Sequence, residues 1–344
     1  MTTCIRSQPS GFSMVELVTA SSLLGLMVYA VSTLAVTGGE SQEYARRINR
    51  ATEVTHDLLD QMRTEMVSCV RIFGNDTEGA ENLALLDLVG APTPIGSSRL
   101  PTRATGEALR PDTAGSEITG NSLFIARLAW MDRFVCTSGN EYMTDVYRWV
   151  YYYLTPEDGG PTDGEPIGLN IVRIESEPML NAAGVDQISD PADQAEVLLH
   201  LLGGTPDAMG VSRTPCVVVW ERGALPSVAG TLRMIDGTDG SLSAVPIGTR
   251  PDPWSVLRSE ASVPGLLSYR HHSVASNFAA ANFGVGRYSV SSAASGGFPH
   301  GFEVQVVGPS TARQTLIHLV VASTNRRGHW AWSDEQLVLD TREQ

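Results

Sequence analysis

The chain has 344 residues, of which 42% are hydrophobic and 18% charged, and a formal net charge of −14. It contains arginine but no lysine, which excludes a phosphate-binding P-loop and Schiff-base chemistry, since each needs a lysine amine. The acidic balance is a poor match to a nucleic-acid footprint, which wants a basic stripe, so no nucleic-acid partner is expected. The length allows one or two lobes with a real core.

The first element is an apolar run over residues 11–36 in which Glu16 is the only charge. About 20 apolar residues cross a bilayer, so the run is long enough to span one. A carboxylate in such a span costs roughly 2.5–3.5 kcal/mol on insertion scales, and such residues are usually paired. Gly11 and Phe12 lie just upstream. A cut between them makes Glu16 the fifth residue of a new chain, and the new α-amine on Phe12 of one copy could then pair with Glu16 of a neighbour. A cleaved secretory signal wants a basic start, a shorter apolar stretch and a small-residue cleavage site after it. Residues 1–10 hold one basic side chain, Arg6. A plain signal anchor fits the length, with Glu16 near the interface. Arg46, Arg47 and Arg50 follow the run, partly offset by Glu40 and Glu43, so charge bias gives only weak support for an inward N-terminus.

Gly11, Phe12, Glu16 and the apolar run together resemble the N-termini of type IV prepilins and of type II secretion pseudopilins. The resemblance covers about the first 40 residues. It implies a leader over residues 1–11, removed by a prepilin peptidase, N-methylation of Phe12, and assembly of the mature subunit into a thin filament through Glu16. Loss of the leader removes Arg6 and takes the net charge to −15.

A transmembrane and assembly helix is expected over residues 12–36, with an amphipathic continuation over 37–74. Tyr44, Ile48, Ala51, Thr55, Leu58, Met62, Met66, Cys69 and Phe73 recur at steps of three and four and form one stripe. Gly74-Asn75 is a plausible stop. A continuous helix over 12–73 would be roughly 90 Å long at 1.5 Å per residue. Gly25 and Gly38-Gly39 are its weak points. Residues 75–121, rich in Gly, Pro, Ser and Thr, read as a loop-rich insertion with some local structure, irregular and exposed, and an apolar island at 83–89.

From residue 122 onward the pattern is β-rich. Strands are expected over 122–134, 142–154 and 168–176, on their aromatic and β-branched content. The tyrosine-rich strand, acidic turn and arginine-containing strand over 147–173 loosely resemble large minor pilins of the PilW type and J-type minor pseudopilins. Asp190-Pro191 opens a helix over 192–202, closed by Gly203-Gly204. Further strands are expected at 216–221, 230–235, 242–247, 301–307, 314–323 and 329–339. A short helix is expected within 251–269 and a loop over 278–297.

The chain lacks GxSxG, HExxH and a GxGxxG in its proper setting. Its seven histidines are scattered; His56 reads as solvated and His200 as a packing residue. No catalytic residue, metal or cofactor is expected. Acidic turns at 157–163 and 236–240 read as plain turns, with calcium as the sharper alternative. Removing the leader takes Cys4 and leaves Cys69, Cys136 and Cys216 in an oxidising compartment. One bridge and one spare thiol follow by arithmetic, with Cys136–Cys216 and Cys69–Cys136 both open. No CxxC pair exists, which argues against structural zinc.

The fold class expected is α+β: a long N-terminal helix, transmembrane in its first half, packed on a β-rich pilin-like head over 122–344. The expected function is a non-enzymatic minor pilin or pseudopilin, priming or tip-located. Export by type II secretion, DNA uptake, and a membrane-anchored ligand-binding or hydrolytic ectodomain stand as alternatives. Its partners would be other pilin or pseudopilin subunits, the prepilin peptidase, the inner-membrane assembly platform and the membrane itself. It would begin as a single-pass inner-membrane precursor and end in an extracytoplasmic filament.

Overall fold

Helix α1 spans Met14–Val67 in a computed structural model that describes residues 13–88, 90–96, 98–109, 118–156, 169–246, 249, 256–258, 272–274, 301–324 and 330–343. The chain divides into two compact units, Met1–Asn49 and Arg50–Gln344, and α1 contributes to both. Gly25, Gly38 and Gly39 do not interrupt it. A glycine costs a helix about 1 kcal/mol relative to alanine, too little to break a helix flanked by good formers.

In the second unit α1 is amphipathic for a simple reason. Ala51, Thr55, Leu58, Leu59, Met62 and Met66 are all buried, and their spacing of three and four places them on one side of a 3.6-residue turn. Tyr44, the first member of the expected stripe, is exposed.

Among the described residues α1 is followed by β1 (Cys69–Phe73), α2 (Thr77–Ala84), β2 (Arg103–Ala104), β3 (Leu123–Val135), β4 (Glu141–Pro156), β5 (Leu169–Ser176), β6 (Met179–Asn181), α3 (Ala182–Asp186), α4 (Pro191–Gly203), β7 (Val218–Trp220), β8 (Leu232–Ile235), β9 (Leu242–Ala244), β10 (Val256–Arg258), β11 (His272–Val274), β12 (Phe302–Val307), a 3-10 turn (Ser310–Ala312), β13 (Arg313–Thr324) and β14 (Trp330–Thr341). The class is therefore α+β, with a long N-terminal apolar helix and a β-rich region.

The described strands form one mixed sheet. Strand β3 pairs antiparallel with β1 and β4, β4 with β5 and β6, and β13 with β11, β12 and β14. Two pairings are parallel, β12 with β2 and β6 with β7. Strand alternation sorts β4 cleanly. Val150, Tyr152 and Leu154 join the core shared with α1, while Trp149, Tyr151 and Tyr153 join a second core on the opposite face. This is the period-2 rule of a strand buried on both sides. The second core is aromatic: Phe73 stacks on Phe124 at 4.3 Å between centroids, and Trp149 meets Trp220 edge-on at 5.7 Å. A third core gathers Phe134, Val146, Leu180 and Val185 around Val197, Leu198 and Leu201 of α4.

Three expectations are corrected. Residues 69–73 are strand β1, not the end of the helix. Cys-Val-Arg-Ile-Phe is β-branched and aromatic, and β3 supplies its ladder. Within 75–121 the local structure is α2 and β2, and the described residues are less exposed than expected, with Leu85, Leu86, Ile95 and Leu100 buried. It is pinned by charge, because the Arg71 guanidinium forks onto Glu78 with two contacts of 2.7 Å and Arg103 adds a third at 2.9 Å. Within 251–269 the described residues, Val256–Arg258, form a strand on β5 rather than a helix. Residues 278–297 lie outside the described residues, as does the acidic turn at 157–163. The turn at 236–240 closes on itself, with Asp236 Oδ1 accepting from Thr238 N at 2.7 Å and Asp239 Oδ1 from Ser241 N at 2.9 Å.

Candidate functional site

The candidate site is the start of α1. Large apolar side chains from Met14 to Val36 are exposed, including Leu17, Leu24, Met27, Tyr29 and Leu34. Among the described residues α1 is the one helix long and apolar enough to cross a membrane, by length and composition. Its hydroxyls suit an apolar medium. Ser21 donates to Leu17 O at 2.7 Å, Ser22 to Val18 O, Thr33 to Tyr29 O and Thr37 to Thr33 O at 2.8 Å each, and Thr19 donates to Val15 O. Each hydroxyl is thus satisfied within its own helix, which removes the cost of burying it unpaired.

Glu16 sits in the first turn and is exposed. Its Oε2 accepts from Ser13 N at 3.0 Å, while Ser13 Oγ accepts from Val15 N at 3.3 Å. This is a capping box: two donors at the start of the helix are satisfied reciprocally. The Ser-x-x-Glu spacing carries this signal in the sequence, and the sequence reading passed over it. Gly11 and Phe12, the expected processing pair, lie outside the described residues.

The cysteines behave differently from expectation. Cys69, Cys136 and Cys216 are all buried free thiols, so the expected single bridge is not formed. Cys69 stands in the core under α1, whereas Cys136 and Cys216 stand in the third core. The latter two point at different backbone carbonyls, Cys136 Sγ at Asp193 O (3.9 Å) and Cys216 Sγ at Thr214 O (3.7 Å).

Two buried charge clusters escaped the sequence reading. Glu65 of α1 accepts from Arg173 Nε at 2.8 Å and from the Tyr152 hydroxyl at 2.5 Å. Arg173 also holds Glu175 at 3.0 Å. His318 of β13 faces Glu303 of β12 at 3.0 Å and Asp334 of β14 at 2.7 Å. Burial opposes its charge, but the hydrogen bonds to Asp334 and Glu303 outweigh it and push its pKa up to about 9. A histidine held as imidazolium at neutral pH has no lone pair to offer as a base or metal ligand. This cluster is therefore a structural clamp. His56 lies at the surface, 2.8 Å from Glu335, and His200 places Nδ1 3.0 Å from Thr205 Oγ1.

No protein-family model, curated protein or solved structure matches this chain.

Proposed function

We propose that the chain is a filament subunit of the type IV pilin and pseudopilin kind, most like a large minor subunit. It is cleaved between Gly11 and Phe12 and assembles through α1. The observation that carries the reading is Glu16 as the one charge in an exposed apolar helical segment that begins beside a Gly-Phe junction. In a membrane or filament interior that carboxylate needs a cationic partner, and the α-amine of Phe12 on an adjacent copy supplies one. The second unit suits a bulky, low-copy position, with recognition on its surface and no chemistry required of it. The partners in this reading are other pilin-like subunits, a prepilin peptidase and an inner-membrane assembly platform.

The test is the intact mass and N-terminal peptide of the protein purified from its native membrane. A chain beginning at N-methyl-Phe12 supports the reading. A chain still beginning at Met1, beside an active prepilin peptidase, overturns it.

A second reading, an ectodomain on a simple membrane anchor, is favoured by the Ser13–Glu16 capping box. That contact gives the carboxylate a use within its own chain.

A further inference from the structure

The corner between the end of β3 and the first turns of α4 brings a thiol and two carboxylates together. Asp190 caps α4 by accepting from Ala192 N at 2.9 Å, and Pro191 occupies the first turn. The helix so started presents Asp193, Glu196 and His200 at i, i+3 and i+7, which is one face. Cys136 follows β3 directly. One ligand atom from each of Cys136, Asp193 and Glu196 lies within 4.8 Å of the other two. Cys136 and Asp193 are 3% and 2% exposed.

Each carboxylate is oriented by neutral donors. Asp193 Oδ2 accepts from Asn140 Nδ2 and from the Tyr142 hydroxyl, both at 2.8 Å. Glu196 accepts from Thr137 N at 2.8 Å and Thr137 Oγ1 at 2.7 Å. Among the described residues no arginine forms an ion pair with Asp193 or Glu196, although arginines pair with most other buried carboxylates of this unit, as at Glu65, Glu78 and Asp207. A buried carboxylate ordinarily demands a cation. His200 adds a nitrogen: its Nδ1 faces Thr205 Oγ1, which leaves Nε2 toward Glu196 Oε1, 3.7 Å away. His200 Nε2 and Glu196 Oε1 thus face one another, as an ion pair when the ring is protonated and as two donors to a shared metal ion when it is not.

We propose that Cys136, Asp193 and Glu196 bind one zinc ion, with His200 or a water molecule as the fourth ligand. Sulfur, oxygen and nitrogen donors together match zinc and mismatch calcium or magnesium, which take oxygen alone. The hydrogen bonds from Asn140, Tyr142 and Thr137 are the outer contacts that orient metal-binding carboxylates. On binding, Zn²⁺ forms a bond to Cys136 Sγ and the thiol proton leaves to solvent, so charge and atoms balance. The ion would tie the third core's helix α4 to the end of β3.

The test uses the full chain in detergent, stripped with a chelator and titrated with Co²⁺ and then Zn²⁺. One Co²⁺ per chain with a thiolate-to-cobalt charge-transfer band, displaced by Zn²⁺, is expected. Cys136→Ser and Asp193→Asn abolish the band, and Cys4→Ser, Cys69→Ser and Cys216→Ser keep it. Tyr142→Phe removes no ligand and weakens zinc about 10-fold or more. Absence of the band in the unaltered chain overturns the proposal, as does a band that survives Cys136→Ser. If Cys136→Ser does not fold, the unaltered chain's spectrum and the Tyr142→Phe affinity decide, since neither requires that variant.

Discussion

Glu65 on α1 and Arg173 on β5 form a buried ion pair, with a closest approach of 2.6 Å between Arg173 Nη2 and Glu65 Oε1. The Tyr152 hydroxyl on β4 donates to the same carboxylate. One side chain thus fastens the helix to two neighbouring strands of the sheet. Its removal leaves a guanidinium without its main counter-charge, and breaking a buried pair from one side costs about 3–5 kcal/mol. We expect Glu65→Ala to lower the stability of the second unit by that order, in urea unfolding of the detergent-solubilised chain followed by tryptophan fluorescence. Replacing both partners, as Glu65→Leu with Arg173→Met, should cost less than Glu65→Ala alone. A loss under about 1 kcal/mol for Glu65→Ala, the range of an exposed pair, would show that the contact is not formed.

The His318 clamp makes stability depend on pH. Its folded-state pKa is raised from 6.5 to about 9. A raised folded value means that the folded state holds a proton the unfolded chain has released. The stabilisation is therefore complete below about pH 6.5, declines as pH rises, and is gone once pH passes about 9. Its ceiling is about 3 kcal/mol at 1.36 kcal/mol per unit, lowered in practice because Asp334 is half exposed. Urea midpoints measured between about pH 6 and pH 10 should fall along this course, and His318→Gln should flatten it. An unchanged slope in His318→Gln would assign the dependence to another group.

The cysteines should be silent in the native chain. Burial pushes the Cys216 thiol up to about 12. In the metal-free chain burial, then Asp193 and Glu196, push Cys136 up to about 11, and burial also raises Cys69. The thiolate is the reactive form and a free thiol titrates near 8.5, so alkylation at about pH 8 should be at least ~100-fold slower than for an exposed cysteine. All three should label on denaturation, and reduction should not change the intact mass. A mass gain of two hydrogens on reduction, mapped to these residues, would restore the bridge that the sequence arithmetic favours.

Much of the β-rich unit was legible locally. The aromatic alternation of β4, the cap and glycine stop of α4, and the β-branched run of β13 each carry their signal within a dozen residues. What was not legible had its partner far along the chain. Cys69 and Phe73 continue the three-and-four stripe of α1, so the helix period extends into β1. Only the pairing with β3, over fifty residues later, makes that segment a strand. Glu65 looks like one more charge on a helix until Arg173 meets it, and His318 is one scattered histidine until β12 and β14 flank it. Zinc was discounted because the chain has no CxxC pair, a rule about ligands close in sequence. Cys136 and Asp193 are brought together by the packing of α4 on β3 instead. The Ser13–Glu16 cap is the opposite case, a local signal overshadowed by the reading of Glu16 as an intermolecular group.

Glu16 can be asked which of its two roles matters. A capping box accepts glutamine in place of glutamate, because only a hydrogen-bond acceptor is needed three residues after the cap. Pairing with a protonated α-amine needs the charge, since a neutral amide leaves a cation in an apolar interior without compensation. Glu16→Gln therefore separates the roles, and Glu16→Ala removes both. If Glu16 pairs with Phe12 of an adjacent subunit, both variants should be cleaved after Gly11, as read by intact mass, and both should be depleted at least ~10-fold from the sheared filament fraction. If the carboxylate only caps α1, Glu16→Gln should incorporate normally and Glu16→Ala should show no more than the loss of roughly 0.5–2 kcal/mol typical of a helix cap. Normal assembly of Glu16→Gln would end the pairing model and leave α1 as an anchor whose first turn is held by Ser13.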